Sequence, residues 1–81
     1  MSFFVYILKC SDKTYYTGST NNLEKRIHAH NFLKSGAHYT KIRRPVKIIH
    51  VEQYDSYSEA RKREGEIKKL KRKEKEAIFQ K

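Results

Sequence analysis

The sequence predicts an α+β fold, a small α/β sandwich in which helices flank a three-stranded antiparallel sheet in the order β-β-α-β-α-α. Three observations carry that prediction. Two aromatic and β-branched runs, FFVYIL and TYYT, stand on either side of the turn-forming Ser11-Asp12-Lys13. A third such run, VKIIHVEQY, follows Pro45. Helix-entry signals occur at Asn21 and Ser56, each with a glutamate three positions on, Glu24 and Glu59.

In chain order, Phe3–Lys9 is nearly continuously apolar, the pattern of a strand buried on both faces. TYYT resumes β character after the turn, and Gly18 is expected to end the second strand. Asn21 as N-cap predicts a helix through about His30, with Leu23, Ile27 and His30 along one face and Arg26 at its edge. Residues 31–45 read as a polar connection containing Gly36 and the basic Lys41, Arg43 and Arg44. The third strand alternates Val46, Ile48 and His50 against Lys47, Ile49 and Val51. Ser56 with Glu59 then opens a helix expected from Tyr57 to Lys71. Ala77, Ile78 and Phe79 mark a last short helix that folds back on the sheet.

With 81 residues, 37% hydrophobic, residues 1–81 are expected to form one domain near the size at which a single core is marginal. No run of about 18 apolar residues exists to span a membrane, and the opening SFFVYIL lacks the basic segment and cleavage site of a signal peptide. A single cysteine, Cys10, cannot close an intramolecular disulfide, so a reduced thiol in a cytoplasmic protein is expected. Charge excludes more than hydropathy does. The net charge is +10, and residues 61–81 alone carry ten basic and four acidic side chains. Such a surplus on so small a body favours a polyanionic partner, nucleic acid above all. The basic C-terminal segment shows no broad leucine or aromatic face for a membrane surface.

Five residues do not fit a plain core. Glu64 falls four after Ala60 and three before Ile67, so it lies on the inward stripe of its helix. A carboxylate directed at the protein body needs a cation, and from spacing alone an arginine and a divalent metal are equal candidates. Arg26 and His30 are one turn apart and can converge on one object, with the arginine's planar fork matched to a phosphate. His28 and His30 point to nearly opposite sides of the helix, which excludes a zinc pair. Tyr6 and Tyr16, with nine residues between them on adjacent strands, each bring a hydroxyl where a plain core would take Val or Leu.

Taken together, these residues resemble the GIY-YIG nuclease superfamily, in particular its small single-domain bacterial members and the nuclease domain of the excinuclease C subunit. The resemblance runs from Phe3 to about Phe79. Phe4-Val5-Tyr6 stands for Gly-Ile-Tyr and Tyr16-Thr17-Gly18 for Tyr-Ile-Gly. Arg26 and His30 match the family's arginine and histidine, and Glu64 its metal-binding glutamate. His38 falls where some homing-type members carry a further histidine. Ser19 stands where repair-type members have a lysine, and no asparagine follows Asn31.

The resemblance implies a metal-dependent endonuclease that hydrolyses DNA phosphodiester bonds, with single-stranded or structured DNA in repair or recombination as the expected substrate. It implies catalytic roles for Tyr6, Tyr16, Arg26, His30 and Glu64, with Mg²⁺ (or Mn²⁺) held at Glu64. Tyr6 is the expected general base or water-orienting group, acting directly or by relaying a proton through His30. An unperturbed phenol pKa of about 10 is too high for a direct base at neutral pH. Lys41, Arg43, Arg44, Arg61, Lys68 and Lys71 are expected to track the nucleic-acid backbone, Tyr39 or Tyr54 to stack on bases, and a partner protein to recruit the chain. The alternative is a module of the same fold that binds nucleic acid and cleaves little.

Overall fold

The computed structural model describes residues 2–34 and 36–80. Strands β1 (Phe3–Lys9), β2 (Tyr15–Thr20) and β3 (Lys47–Tyr54) form an antiparallel sheet in the order β2-β1-β3. The helices are α1 (Leu23–Phe32), a single turn α2 (His38–Lys41), α3 (Tyr57–Lys68) and α4 (Arg72–Phe79). Apart from α2, which interrupts the connection expected to be irregular, this is the predicted order.

The apolar run of β1 is explained by its central place. Val5 and Ile7 face Ala60 and Ile67 of α3, with Ile78 and Phe79 of α4 packed beside them. Tyr6 and Leu8 face the other way, onto Leu23 and Ile27 of α1. Four consecutive residues, Val5 to Leu8, are therefore buried, and each face has its own helical cover.

Four boundaries depart from the sequence reading, each for a local reason. Gly18 does not end β2. It is a strand residue opposite Tyr6, and a Cβ there would stand 2.5 Å from the Tyr6 hydroxyl oxygen. The glycine makes room for a ring. The N-cap of α1 is Asn22, whose side chain accepts the Lys25 N–H at 3.1 Å, and Asn21 precedes it. In β3 the register shifts between Ile7 and Leu8, which pair with His50 and Ile48, so Ile49 is an extra residue. That bulge breaks the strict alternation expected from Val46 to Val51 and puts Val51 opposite Tyr6. Finally α3 stops at Lys68, and Lys71 becomes the N-cap of α4, its N–H donated to Glu74 at 2.8 Å.

Polar contacts fix the helices on the sheet. Ser56 caps α3 as expected, accepting the Glu59 N–H at 3.2 Å. Arg63 of α3 makes a two-pronged bond to Glu52 of β3 at 2.8 and 3.2 Å, and the Tyr54 hydroxyl adds a third at 2.6 Å. The Glu52 carboxyl has its charge penalised by burial, yet these donors hold it down at about 2. On the other face, Asn31 of α1 exchanges two hydrogen bonds with the backbone of Val46 at 2.8 and 3.1 Å. Phe79 stacks edge-on against Tyr15 at 5.3 Å, whose hydroxyl donates to Glu76 at 2.8 Å, so α4 does return to the sheet.

Two glycine replacements separate space from propensity. Gly18→Ala should destabilise the fold by about 1–3 kcal/mol in urea titrations, because the Tyr6 ring has to move. Gly65→Ala, inside α3 with nothing within 4 Å of the added carbon, should stabilise it by about 0.5–1 kcal/mol.

Candidate active site

The centre of the site is a buried phenol. Tyr6 is 1% exposed, and its hydroxyl lies 2.8 Å from Nε2 of His30, which is fully buried. Which atom holds the proton follows from the next two links. The Thr40 hydroxyl donates to the carbonyl of Ala37 at 2.8 Å. It can therefore only accept at its 2.9 Å contact with Nδ1 of His30. Nδ1 carries the hydrogen, Nε2 presents a lone pair, and Tyr6 donates its proton to it. The line runs Tyr6, His30, Thr40, Ala37.

Electrostatics holds the first two members of that line, Tyr6 and His30, neutral. Burial pushes the Tyr6 phenol up to about 12; a hydrogen bond from Arg26 works against this, and the nearby Tyr16 and Glu64 add to it. Burial, then the charges of Arg26 and Arg44, push His30 down to about 4. Tyr16 stacks edge-on against the His30 ring at 5.1 Å and leans on Tyr39 at 6.0 Å. The Arg43 guanidinium covers Tyr39 at 3.9 Å while pairing with Asp12 at 2.9 Å. The imidazole is thus walled by aromatic rings.

Glu64 approaches from α3 at the end of β2. Only 9% exposed, it accepts the Ser19 hydroxyl at 2.6 Å and pairs with Lys68 at 2.6 Å, with Arg61 at 3.8 Å. Burial alone would raise this carboxyl, but the bonds from Lys68 and Ser19 hold it below the usual range, so it is ionised. Among the described residues no three His, Cys, Asp or Glu side chains gather as a metal cluster. A lone ionised carboxylate fits Mg²⁺ or Mn²⁺ taken up with water and phosphate oxygens, the usual habit of Mg²⁺, rather than a cage of protein ligands.

The structure brings Tyr6, Tyr16, Arg26 and His30 together through direct contacts and couples Glu64 to Tyr6 through its charge. The basic residues divide. Arg44 donates to the carbonyls of Ala29, His30 and Leu33 at 2.6–3.2 Å and so closes the C-terminal end of α1. Arg61 donates to the Tyr57 hydroxyl at 2.8 Å. Lys41, Lys71 and His38 are exposed. Tyr54 is tied to Glu52, and the Tyr39 ring already has Tyr16 and the Arg43 guanidinium as neighbours. Sequence reasoning missed Thr40, which has no helical or strand spacing to His30, and the hydrogen bond from Ser19.

The relay makes two predictions. Thr40→Val leaves the Nδ1–H of His30 without an acceptor and should cost about 1–3 kcal/mol, with the imidazole ¹⁵N shifts in NMR spectra reporting loss of the single tautomer. His30 binds its proton near 6.5 in the unfolded chain and near 4 in the folded one. Between those values the unfolded state holds more protons, so stability should fall as pH drops through that window. In His30→Gln the slope should flatten.

The GIY-YIG catalytic-domain family matches residues 2–77 of this chain. A UPF0213 protein of Syntrophus aciditrophicus is 61% identical over 72 residues, 89% of this chain and 83% of that protein. One from Halobacterium salinarum is 51% identical over 75 residues, 93% of this chain and 96% of that protein. A solution structure of an E. faecalis protein matches at 42% identity with a TM-score of 0.67, and that of a UPF0213 protein from Bacillus halodurans at 38% with 0.62. Each covers 96% of this chain and 82% of the other. With the two tyrosines, arginine, histidine and glutamate disposed as described, the chain belongs to the GIY-YIG family, in its UPF0213 group.

Proposed function

We propose that this chain is a metal-dependent endonuclease that hydrolyses phosphodiester bonds in DNA, single-stranded or structured, in repair or recombination in the cytoplasm. The observation that carries the reading is the line from Tyr6 through His30 to Thr40. A phenol held at about 12 is no base by itself. With its proton directed at His30, however, its oxygen can take a proton from an attacking water while passing its own to Nε2. No free tyrosinate need form. His30 at about 4 is a weak acceptor in the resting protein, and after burial it is the Arg26 charge that holds it there. A phosphate bound at Arg26 offsets that charge and raises the proton affinity of the imidazole as the substrate arrives. Arg26 also meets charge growing on the non-bridging oxygens, and Tyr16 orients the phosphate or the water.

Glu64 would hold the divalent ion, Mg²⁺ or Mn²⁺, which supplies Lewis-acid polarisation of the phosphate when bound. Ser19 keeps one carboxylate oxygen oriented. Lys41 and Lys71, exposed, would track the backbone with Arg61, while Arg43 and Arg44 contribute to its field from their structural bonds; His38 lies exposed on α2 for a supporting contact. Among the described residues no helix is long and apolar enough to cross a membrane.

A second reading, a binding module that cleaves little, draws on one observation: Lys68 sits 2.6 Å from Glu64, where a cation would act. The two are separated with labelled single-stranded and duplex DNA in Mg²⁺, Mn²⁺ or chelator. Cleavage by the wild type should need the metal, and Tyr6→Phe should lower it by about 10²–10⁴-fold with binding retained. Glu64→Ala should abolish the metal-dependent cleavage. Equal cutting by all three proteins would mean that none of it comes from this site, and metal-independent binding without cutting would favour the second reading.

A further inference from the structure

Beside Ser19 and Glu64, on the α3 side of the sheet, lies a cavity that the proposed chemistry does not use. It has a volume of about 260 Å³ and is lined by Phe3, Ser19, Thr20, Asn21, Tyr57 and Ala60. We propose that it is a subsite for one unpaired nucleobase of the strand being bound, which rests on the nucleic-acid reading above and gives it a substrate preference.

Position is the first support. Ser19 is at once a wall of the cavity and the hydroxyl that holds Glu64, and Ala60 lies one turn before Glu64 on α3. Thr20 and Asn21 also line a second cavity, of similar volume, along α1 beside Lys25 and Arg26. The two hollows share one ridge. A strand crossing it can lay its phosphates against the basic residues of one and drop a base into the other.

The walls supply the second support. Phe3 and Tyr57 meet edge-on at 5.8 Å. Tyr57 is 56% exposed, a large aromatic ring at the first position of α3 with much of its surface uncovered. Arg61 keeps it in place, bonded to its hydroxyl and with its guanidinium 5.6 Å from the ring centroid. Aromatic faces with an arginine alongside bind bases of any sequence, and the Asn21 amide on the rim can donate and accept at a base edge. The volume falls just below the roughly 300 Å³ at which small-ligand pockets begin, enough for one planar heterocycle. A paired, stacked base cannot enter without being extruded, so the subsite favours single strands, flaps and bulges over intact duplex.

The test uses the full chain in chelator, where nothing is cut, with fluorescent oligothymidylate, an abasic deoxyribose-phosphate strand of equal length, and a blunt duplex. Wild type should bind oligothymidylate about tenfold more tightly than the abasic strand, and Tyr57→Ala should remove that preference while leaving abasic affinity unchanged. Tyr57→Phe, which keeps the ring, should retain the preference and guards against a folding artefact. Equal weakening for both strands, or none, overturns the subsite and leaves cleavage standing. A base preference that vanishes in Tyr57→Ala, in a protein that cuts nothing in Mg²⁺ or Mn²⁺, keeps the subsite and removes the nuclease reading. Preferential capture of an apolar peptide over every oligonucleotide would also overturn it.

Discussion

A buried phenol must place its proton on an acceptor, and the bond from Tyr6 to His30 is the constraint from which most of this fold follows. The ring occupies the place where the facing residue on β2 would carry a side chain, so that residue is glycine. The imidazole needs its lone pair aimed at β1, so its other nitrogen needs an acceptor, and the turn α2 carries Thr40 to it. The carbonyls at the end of α1, His30's own among them, need donors, and Arg44 supplies them. Each of these residues looks unrelated to its neighbours in the chain. Each serves the placement of Tyr6 or His30.

The two faces of the sheet carry different parts of the proposed site. The α1 side holds Tyr6, Tyr16, Arg26 and His30, the groups proposed to handle a proton or meet a phosphate. The α3 side holds Glu64. Rigid placement of α3 on β3 matters for that reason, and the Glu52–Arg63 pair with the Tyr54 hydroxyl locks it where Ile67 and Ala60 already pack. The sandwich brings an acid and a relay, built on opposite covers, to a common end of β2.

How much of this was legible depends on the range over which each cause acts. Central burial of β1, the Ser56 cap and the helical stripe through Glu64 are local patterns, and the sequence showed them directly. The tyrosines, Arg26 and His30 were legible as a set only because their types and spacings recur together. Asn22 in place of Asn21, and the continuation of β2 past Gly18, were misread because capping and turn residues are the same residues that relieve crowding. The bulge at Ile49 has no local signature. Thr40 and Arg44 could not be assigned from their neighbours at all: a hydroxyl or guanidinium becomes structural through where a loop carries it. For that reason a basic run such as Lys41, Arg43 and Arg44 divides into one exposed lysine and two arginines bonded to the fold.

The pairing of Glu64 with Lys68 reconciles folding with the proposed function. An ionised carboxylate turned toward the protein body is costly without a counter-charge, and the chain has to fold before any external cation is bound. Lys68 supplies that charge from a half-exposed position on a flexible stem, from which its ammonium can return to water at little cost. Ser19, part of the sheet, stays on the other oxygen. An arginine making a two-pronged bond, as Arg63 does to Glu52, would hold the carboxylate far more firmly. The two glutamates thus meet their cations in opposite ways: Glu52 is fixed by a two-pronged arginine that holds helix to sheet, and Glu64 is paired with a single flexible lysine, which suits the proposed role of its carboxylate as a metal ligand.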